Sequence, residues 1–271
     1  MTPVATARSY LFVPGDRPER FVKAQQSGAD RIILDLEDAV AEERKDEARR
    51  HVAEYLATGG SGIARINATK GRWLDDLLAI RKPGLQGVIL PKTGDADDVA
   101  RIVKHLPDNV KVLPLIETAL GMKNVGEIAG AARVERLVFG TVDFRTEMGI
   151  EGDDQELLFF RSMLALASRV AGIAAPVDGV TVAINDVAEL REACLRGRRL
   201  GFGAKLCIHP SQVAEVNRAH LPSEDQLTWA ARVVEAAKSA PGAFKLDGEM
   251  IDAPVIARAS ELLLRASRFA A

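Results

Sequence analysis

Short apolar runs alternate with longer stretches of helical periodicity along most of the chain. Eight such runs predict β-strands, at Tyr10–Val13, Arg31–Leu34, Gly62–Ile66, Gly87–Leu90, Lys111–Ile116, Arg136–Phe139, Ala175–Val177 and Ala204–Ile208. The intervening stretches place apolar residues on one helix face, as Val99, Ile102 and Leu106 do. Strands that alternate with helices are typical of parallel βαβ units. We therefore predict an α/β fold, and eight strands favour a closed (β/α)8 TIM barrel over an open sheet.

The chain continues well past the eighth predicted strand. Two further stretches have helical periodicity, Ser223–Ser239 and Pro254–Phe269, and a turn region that contains glycine and proline separates them. A barrel does not need this tail. We predict a barrel domain over residues 1–222 and a helical extension over residues 223–271, which caps the barrel or packs on a neighbouring subunit.

The composition limits the classes of function that this protein could have. The 271 residues are 47% hydrophobic and suffice for one large core. A net charge of -2 provides no basic field for nucleic acid or an anionic membrane. The two cysteines, Cys194 and Cys207, give no disulfide framework, so a reducing cytoplasm is the simplest setting. We expect no secretory signal in the first eight residues, and no apolar run reaches the ~20 residues of a membrane span.

Two acidic residues stand at equivalent places after consecutive predicted strands. Glu117 follows the run Val112–Ile116, and Asp143 follows the run Leu137–Val142. If these strands are parallel neighbours, both carboxylates lie at the same end of the sheet, where two of them make a site for a hard cation such as Mg²⁺. A helix cap or a salt bridge is the alternative at each position. Their recurrence at equivalent places favours the metal.

Other predicted strand ends are also polar. Arg17, after the first strand, either begins a surface helix or contacts a phosphate or carboxylate. The acids of Asp35–Asp38 could buttress a metal, or cap a helix before Ala39. Arg65 needs an anionic partner, and we favour a ligand carboxylate over a structural salt bridge.

Three further side chains have two interpretations each, and a fourth, Asp252, has one. Lys92 and Lys205 invite a Schiff-base role, but pairing with nearby acids is favoured for both. His209 is a candidate base, or a cap of the helix that begins at Pro210. Asp252 is predicted to N-cap the final helix. No nucleophile elbow, Walker loop or dinucleotide fingerprint is present in the sequence.

Six strand-end motifs occur in an order that resembles the citrate lyase β-subunit family. This is the CitE-like branch of the HpcH/HpaI aldolase superfamily, which also holds malyl-CoA and citramalyl-CoA lyases. Each motif is weak alone, but six in order are specific, and the resemblance runs from about Arg8 to the final helix. The motifs are Arg8–Gly15, Asp35–Asp38, Arg65–Asn67, Pro114–Thr118, Phe139–Gly140 with Asp143, and Ile208–Gln212.

The resemblance implies a barrel of the pyruvate/phosphoenolpyruvate type whose C-terminal extension packs on a neighbouring subunit, in a homotrimer or hexamer. It implies that Glu117 and Asp143 bind Mg²⁺ and that Arg65, with Glu117, contacts the substrate. Asp252 matches a segment whose aspartate enters the adjacent subunit's site in the malyl- and citramalyl-CoA lyases. We place Glu37 and Asp38 with Arg65 and Asp252 in the catalytic set. The residues expected to contact the CoA thioester are Phe12, Arg17, Lys23, Ile208 and His209.

The function that the resemblance implies is Mg²⁺-dependent carbon–carbon cleavage, or formation, of a 3-hydroxyacyl-CoA thioester such as malyl-, citramalyl- or citryl-CoA. A class II aldolase for free 2-oxo-3-deoxy acids is one alternative, although Glu37-Asp38 stands where those enzymes carry a Glu-His pair. A malyl-CoA-type thioesterase, a lyase subunit that needs an acyl-carrier protein, and a CoA-binding regulator are the others. Arg145 and Glu147 depart from the family pattern beside Asp143 and leave the substrate open.

Overall fold

Eight parallel strands close into a barrel, each paired with the next along the chain and the last paired with the first. The computed structural model describes residues 6–69, 71–240, 242–267 and 269. The barrel strands are β1 Ser9–Pro14, β2 Arg31–Asp35, β3 Gly62–Arg65, β4 Leu85–Leu90, β5 Lys111–Ile116, β6 Arg136–Phe139, β7 Ala174–Asp178 and β8 Ala204–Cys207. The predicted (β/α)8 barrel is confirmed, and all eight predicted strands take part.

Every barrel strand is followed by at least one helix, as right-handed parallel connections require. The helices are α1 Phe21–Gln25, α2 Lys45–Ala57, α3 Arg72–Ile80, α4 Ala96–Val103, α5 Ala119–Lys123, α6 Val125–Ala129, α7 Thr141–Met148, α8 Leu158–Val170, α9 Val187–Arg199, α10 Val213–Ala219, α11 Glu224–Ala237 and α12 Ala253–Ser267. None of the helices in the described part of the chain is long and apolar enough to cross a bilayer.

Apolar side chains fill the barrel interior. The cluster includes Tyr10, Ile33, Ile63, Ile89, Leu113, Leu115, Val138, Val177 and Leu206, which come from all eight strands, with Phe12 and Val180 packed against it. A filled interior cannot serve as a pore, so a ligand site in such a barrel lies at the carboxyl ends of the strands.

A buried ionic cluster fixes the end of β7. Arg161 donates from Nε to Asp178 Oδ1 at 3.0 Å, and Lys205 Nζ donates to the carbonyl oxygen of Gly179 at 2.7 Å. Burial alone would raise the pKa of Asp178, but Lys205 and Arg161 outweigh it, so the pKa is lowered. Lys205 Nζ thus bonds to a backbone carbonyl and acts on Asp178 through its charge, and the favoured pairing with an acid is not formed as a salt bridge in the described part of the chain.

The chain divides into two compact units, one ending at Asn217 and the other beginning at Arg218. The second unit packs α11 and α12 around Ala230, Val233 and Ala259. Asp252 caps α12, because its Oδ1 accepts a hydrogen bond from Val255 N at 3.3 Å, and this predicted N-cap is confirmed.

The predicted turn region between these helices contains a hairpin instead of turns alone. Strands β9 Phe244–Leu246 and β10 Glu249–Ile251 are antiparallel. Asp247 and Gly248 join them with positive φ angles of 53° and 90°. An Asp-Gly pair is favoured in tight hairpins because both positions need the left-handed region. This local signal was missed in the sequence.

Candidate active site

A cavity of about 360 Å³ lies where the strand-end side chains of the barrel converge. Several of the predicted site residues line it, namely Phe12, Asp38, Arg65, Glu117, Asp143 and Ile208. Four apolar residues that were not predicted as site residues also line it, namely Leu115, Val142, Val180 and Leu206. Their signal was position alone, because each lies in or close after a barrel strand. The remaining lining residues are Pro14, Asp35, Ala39, Phe139, Gly140 and Thr141.

Glu117 is buried directly after β5, with 2% of its surface exposed. Its Oε1 accepts a hydrogen bond from the backbone N–H of Lys92 at 2.7 Å. Lys92 has a backbone φ of 50°, a conformation that residues other than glycine rarely adopt. The favoured pairing of the Lys92 amine with an acid is not formed as a salt bridge among the described residues. Lys92 contributes its backbone to the site instead.

Glycine is required at position 140 by the close approach of Glu117. A Cβ on Gly140 would lie 2.6 Å from Glu117 Cβ and 2.7 Å from its Oε2. The following residue, Thr141, begins α7, which carries Asp143 in its first turn. The β6–α7 turn therefore brings the Asp143 carboxylate into the same cavity as Glu117, as the sequence predicted for neighbouring parallel strands.

The Glu117 carboxyl has excess negative charge around it. Burial, aided by the nearby charges of Glu37 and Asp143, raises its pKa to about 8 against the opposing effects of the Lys92 N–H and Arg65. No cluster of three or more metal-ligating side chains occurs in the described parts of the chain. Mg²⁺ is commonly held by only one or two carboxylates, with waters and substrate oxygens completing its shell. Glu117 and Asp143 fit that requirement.

Arg65 is held by acids at the end of β2 and in the loop that follows it. It donates from Nε and Nη2 to the two oxygens of Asp35 at 2.7 and 2.5 Å. Its Nη1 lies 3.3 Å from both Glu37 Oε2 and Asp38 Oδ2, and the guanidinium stacks 4.8 Å from the Phe12 ring centroid. The structural salt bridge, the less favoured interpretation of the sequence, is therefore formed. A role of Arg65 toward a ligand stays a prediction.

The Asp35 carboxylate stabilises a turn after β2 and does not cap a helix. Its carboxylate accepts from Glu37 N at 2.9 Å and from Ala39 N at 3.2 Å. The next helical segment begins only at the 3-10 helix Glu42–Arg44, so the alternative of a helix cap before Ala39 is wrong. The short turn places the Glu37 side chain in a buried position, and this burial raises its pKa to about 7. Its Oε2 has no hydrogen-bond partner.

Some predicted residues do not line the cavity. Arg17 and Lys23 are exposed. His209 is also exposed and caps the 3-10 helix Pro210–Gln212, because its Nδ1 accepts from Ser211 N at 3.2 Å. The cap interpretation of His209 is thus confirmed, while a contact with CoA stays a prediction. Asp252 lies in the second unit, and its catalytic role stays a prediction.

The two charges that depart from the family pattern also lie outside this lining. Arg145 Nη1 donates to the carbonyl oxygen of Glu151 at 3.1 Å. Glu147 Oε1 accepts from Ala119 N at 3.2 Å, at the start of α5. Both side chains therefore bond to backbone groups and do not line this cavity.

The raised pKa values give the metal-free protein a defined pH dependence. Between the ordinary glutamate pKa and about 8, folded Glu117 binds more protons than the unfolded chain, so stability falls as pH rises through this window. Glu37 acts in the same direction up to about pH 7. We expect the melting temperature in chelator to fall from about pH 5 to about pH 9. Thermal unfolding at stepped pH tests this, and a flat or rising profile would contradict it.

Proteins of known sequence and structure resemble this chain over 80–97% of its length. The (3S)-malyl-CoA thioesterase of Cereibacter sphaeroides is 35% identical, with 97% of this chain and 96% of that protein covered. CitE from Mycobacterium tuberculosis, solved in complex with magnesium, acetoacetate and coenzyme A, has a TM-score of 0.85 and 35% identity, covering 97% of this chain and 100% of that chain. A citrate lyase beta subunit from M. tuberculosis, complexed with oxaloacetate and magnesium, has a TM-score of 0.72 and 32% identity, covering 80% of this chain and 99% of that chain.

The family model described as HpcH/HpaI aldolase/citrate lyase matches residues 8–210. This range includes all eight barrel strands and every residue that lines the cavity. The order of strand-end motifs in the sequence predicted the same assignment. The chain therefore belongs to the HpcH/HpaI aldolase/citrate lyase family.

Proposed function

We propose that this protein is a Mg²⁺-dependent carbon–carbon lyase that cleaves, or forms, a 3-hydroxyacyl-CoA thioester. The observation that carries the proposal is the convergence of Glu117, Asp143 and Arg65 on one cavity. The CitE relative that was solved with magnesium, acetoacetate and coenzyme A supports it, because that protein binds a metal ion, an oxo acid and the CoA carrier together.

Glu117 and Asp143 would hold the cation. When bound, Mg²⁺ supplies Lewis-acid polarisation of the substrate oxygens. The protein contributes the fixed position of the two carboxylates. Lys92 N–H holds Glu117 Oε1, and Gly140 leaves the space in which Glu117 lies. Such preorganisation avoids rearrangement of the ligands when substrate binds.

Arg65 would stabilise the negative charge that develops on the substrate oxygen during cleavage. Asp35 accepts hydrogen bonds from the Arg65 guanidinium through both carboxylate oxygens, and Glu37 and Asp38 form ion pairs with it. The position of the guanidinium is therefore fixed before substrate binds. We assign Glu37 and Asp38 to this catalytic group for that reason.

Cleavage requires one proton transfer at each fragment. The substrate hydroxyl loses its proton and becomes the carbonyl of the leaving oxo acid. The electron pair of the broken carbon–carbon bond passes to the other fragment, which forms the enolate of an acyl thioester and then takes up a proton on carbon. We propose that the protein forms a homotrimer or hexamer. In it, Asp252 of a neighbouring subunit would act as the proton-transfer group. Phe12, Arg17, Lys23, Ile208 and His209 would contact the CoA portion.

Hydrolysis of the thioester is a second candidate, favoured by the 35% identity to the (3S)-malyl-CoA thioesterase of C. sphaeroides. In that reaction water adds to the thioester carbonyl and the carbon–sulfur bond breaks, which releases free CoA. Dependence on an acyl-carrier protein in place of CoA would instead give activity only when that protein is added. The two fragments of cleavage and the free thiol of hydrolysis are separate products and can be assayed separately.

The test is turnover of malyl-, citramalyl- and citryl-CoA with Mg²⁺ or with chelator, following oxo acid and free CoA separately. We expect Mg²⁺-dependent release of an oxo acid together with an acyl-CoA. Asp143→Asn should lower kcat/KM at least about 100-fold, because it removes a metal ligand. Glu151→Gln, an exposed carboxylate beyond α7, is the matched control and should retain activity. Equal activity of Asp143→Asn and the wild type would refute the metal assignment.

A further inference from the structure

A buried lysine bonds to the loop that follows β2. Lys45, the first residue of α2, is 8% exposed and does not line the cavity. Its Nζ donates hydrogen bonds to the carbonyl oxygens of Leu36 at 3.0 Å and of Glu37 at 2.7 Å. Both partners are uncharged backbone groups, and no ion pair of Lys45 occurs in the described part of the chain. Burial of a charged amine is costly unless strong hydrogen bonds offset it, so these two bonds constrain the loop.

The two carbonyl groups belong to the segment that holds Arg65. Leu36 and Glu37 directly follow Asp35, which accepts hydrogen bonds from the Arg65 guanidinium through both carboxylate oxygens. Leu36 N–H donates to the carbonyl oxygen of Arg65 at 2.9 Å, and Glu37 Oε2 lies 3.3 Å from Arg65 Nη1. Lys45 therefore bonds to the same two residues that contact the backbone and the guanidinium of Arg65.

Local hydrogen bonds shape this loop without attaching it to a helix. Glu37 N–H and Ala39 N–H donate to the Asp35 carboxylate, and Val40 N–H donates to the carbonyl oxygen of Glu37 at 3.0 Å. These bonds close the turn on itself. The Lys45 ammonium, in contrast, attaches the turn to α2, a helix of 13 residues whose buried face includes Val52 and Leu56.

We propose that Lys45 is a positioning residue of the candidate active site. Its ammonium holds the loop after β2 in the conformation in which Asp35 and Glu37 fix the Arg65 guanidinium. This proposal rests on the lyase function proposed above, because the effect of Lys45 reaches the substrate only through the loop and Arg65. A catalytic group that is displaced by about 1 Å can lose about 100-fold in rate, so the loop has a large influence on turnover.

Lys45→Met removes the amine and retains a side chain of similar length. In the full-length protein with Mg²⁺, we expect kcat for the thioester that is cleaved fastest to fall about 10–100-fold. Mg²⁺ affinity, measured by calorimetry, should stay unchanged, because Glu117 and Asp143 do not belong to this loop. If Lys45→Met does not fold, Lys45→Gln replaces it, since its neutral amide ends one bond short of the Nζ position. A wild-type kcat in either folded variant would overturn the proposal.

Leu56→Ala is the matched control on the same helix. Leu56 is 1% exposed and lies near the opposite end of α2 from Lys45. Its truncation removes core packing without touching the loop, so it should lower the melting temperature and retain kcat. An equal fall of kcat in Leu56→Ala would show that lost stability is responsible, which would overturn the positioning role of Lys45.

A double-mutant cycle tests whether the effect passes through Arg65. Arg65→Lys keeps a positive charge but lacks the planar fork that Asp35 engages. In the Arg65→Lys background, we expect Lys45→Met to lower kcat less than about 3-fold, because the guanidinium that the loop positions is already absent. An undiminished loss in that background would overturn the proposal.

Amide hydrogen exchange, followed by mass spectrometry, reports on the loop without any substrate. We expect the amides of residues 37–40 to exchange at least about 10-fold faster in Lys45→Met than in the wild type or Leu56→Ala, whereas the β5 amides keep their wild-type rates. Unchanged exchange of the loop in a folded Lys45 variant would overturn the proposal whatever the turnover.

The exchange measurement also separates this proposal from the lyase function. If the wild type cleaves none of the three thioesters, the lyase function fails, and faster exchange in Lys45→Met still supports Lys45 as the group that holds the loop. If the wild type is active and the loop of Lys45→Met exchanges faster with no fall in kcat, the lyase function stands and the positioning of Arg65 by Lys45 is overturned.

Discussion

Replacing Glu117 by glutamine is expected to abolish Mg²⁺-dependent turnover and, at the same time, to stabilise the metal-free protein. The loss of activity follows because a neutral amide is a poor ligand for a hard cation, and kcat/KM should fall at least about 100-fold. The amide oxygen can still accept the hydrogen bond from Lys92 N–H, which Glu117 receives at 2.7 Å. The substitution therefore removes charge from the site with little change in shape.

The gain in stability follows from the pKa of about 8, which burial and neighbouring acids give Glu117. Above the ordinary glutamate pKa the unfolded chain is ionised more readily than the folded one, and glutamine removes that difference. We expect the free energy of unfolding in chelator to rise by about 2–4 kcal/mol at pH 8, with little change near pH 4. Chemical denaturation at both pH values measures it.

Glu127→Gln is the matched control for this prediction, because Glu127 is an exposed glutamate on α6. It should leave activity, Mg²⁺ affinity and pH dependence unchanged. A Glu117→Gln protein that is active, or one that is less stable at pH 8 than the wild type, would contradict the assignment of Glu117 as a buried, uncompensated metal ligand.

Gly140→Ala is the second substitution with a large expected effect. The added methyl group would lie 2.6 Å from Glu117 Cβ and 2.7 Å from its Oε2, closer than non-bonded atoms approach. Glu117 or the β6–α7 turn must then shift, and Asp143 lies three residues further along that turn. We expect Mg²⁺ affinity to fall at least about 10-fold and stability to fall by about 1–3 kcal/mol. Isothermal titration with Mg²⁺ and denaturation measure the two effects.

Gly126→Ala provides the comparison, since a Cβ on Gly126, within α6, has no atom within 4 Å. It should leave Mg²⁺ affinity unchanged and raise stability slightly, by about 0.5–1 kcal/mol, because alanine is the better helix former. Unchanged Mg²⁺ affinity in a folded Gly140→Ala protein would show that the close approach of Gly140 to Glu117 does not position the metal ligands.

The same close packing extends to the next strand. A Cβ on Gly179, after β7, would lie 2.2 Å from Thr141 Oγ1, at the start of α7. The turn that carries Asp143 is therefore confined from two sides, by the Glu117 carboxylate and by the β7 end.

Much of the fold and of the candidate site could be predicted from the sequence. The barrel was predictable because each strand is a local apolar run and each helix a local periodicity. Glu117 and Asp143 could be placed together because the carboxyl ends of neighbouring parallel strands share one edge. The N-cap of Asp252 and the cap formed by His209 were also local, since a cap bonds only to the next few residues.

Other features were decided by contacts between distant parts of the chain. Arg65 meets Asp35 across 30 residues, and Lys92 N–H meets Glu117 across 25 residues. Whether Arg65 faced a ligand or a salt bridge depended on how the loop after β2 folds, and whether Lys92 contributed its amine or its backbone depended on a left-handed φ. Neither is encoded in a short segment.

The sequence by itself therefore determined the barrel, the edge at which the candidate site lies and the two acids proposed to hold a cation. These depend on local periodicity and on residue type at strand ends. Only the tertiary structure decided which charges are compensated and which wall is apolar. Compensation and burial are properties of the neighbours that each side chain acquires when the eight strands close, and those neighbours come from every part of the barrel.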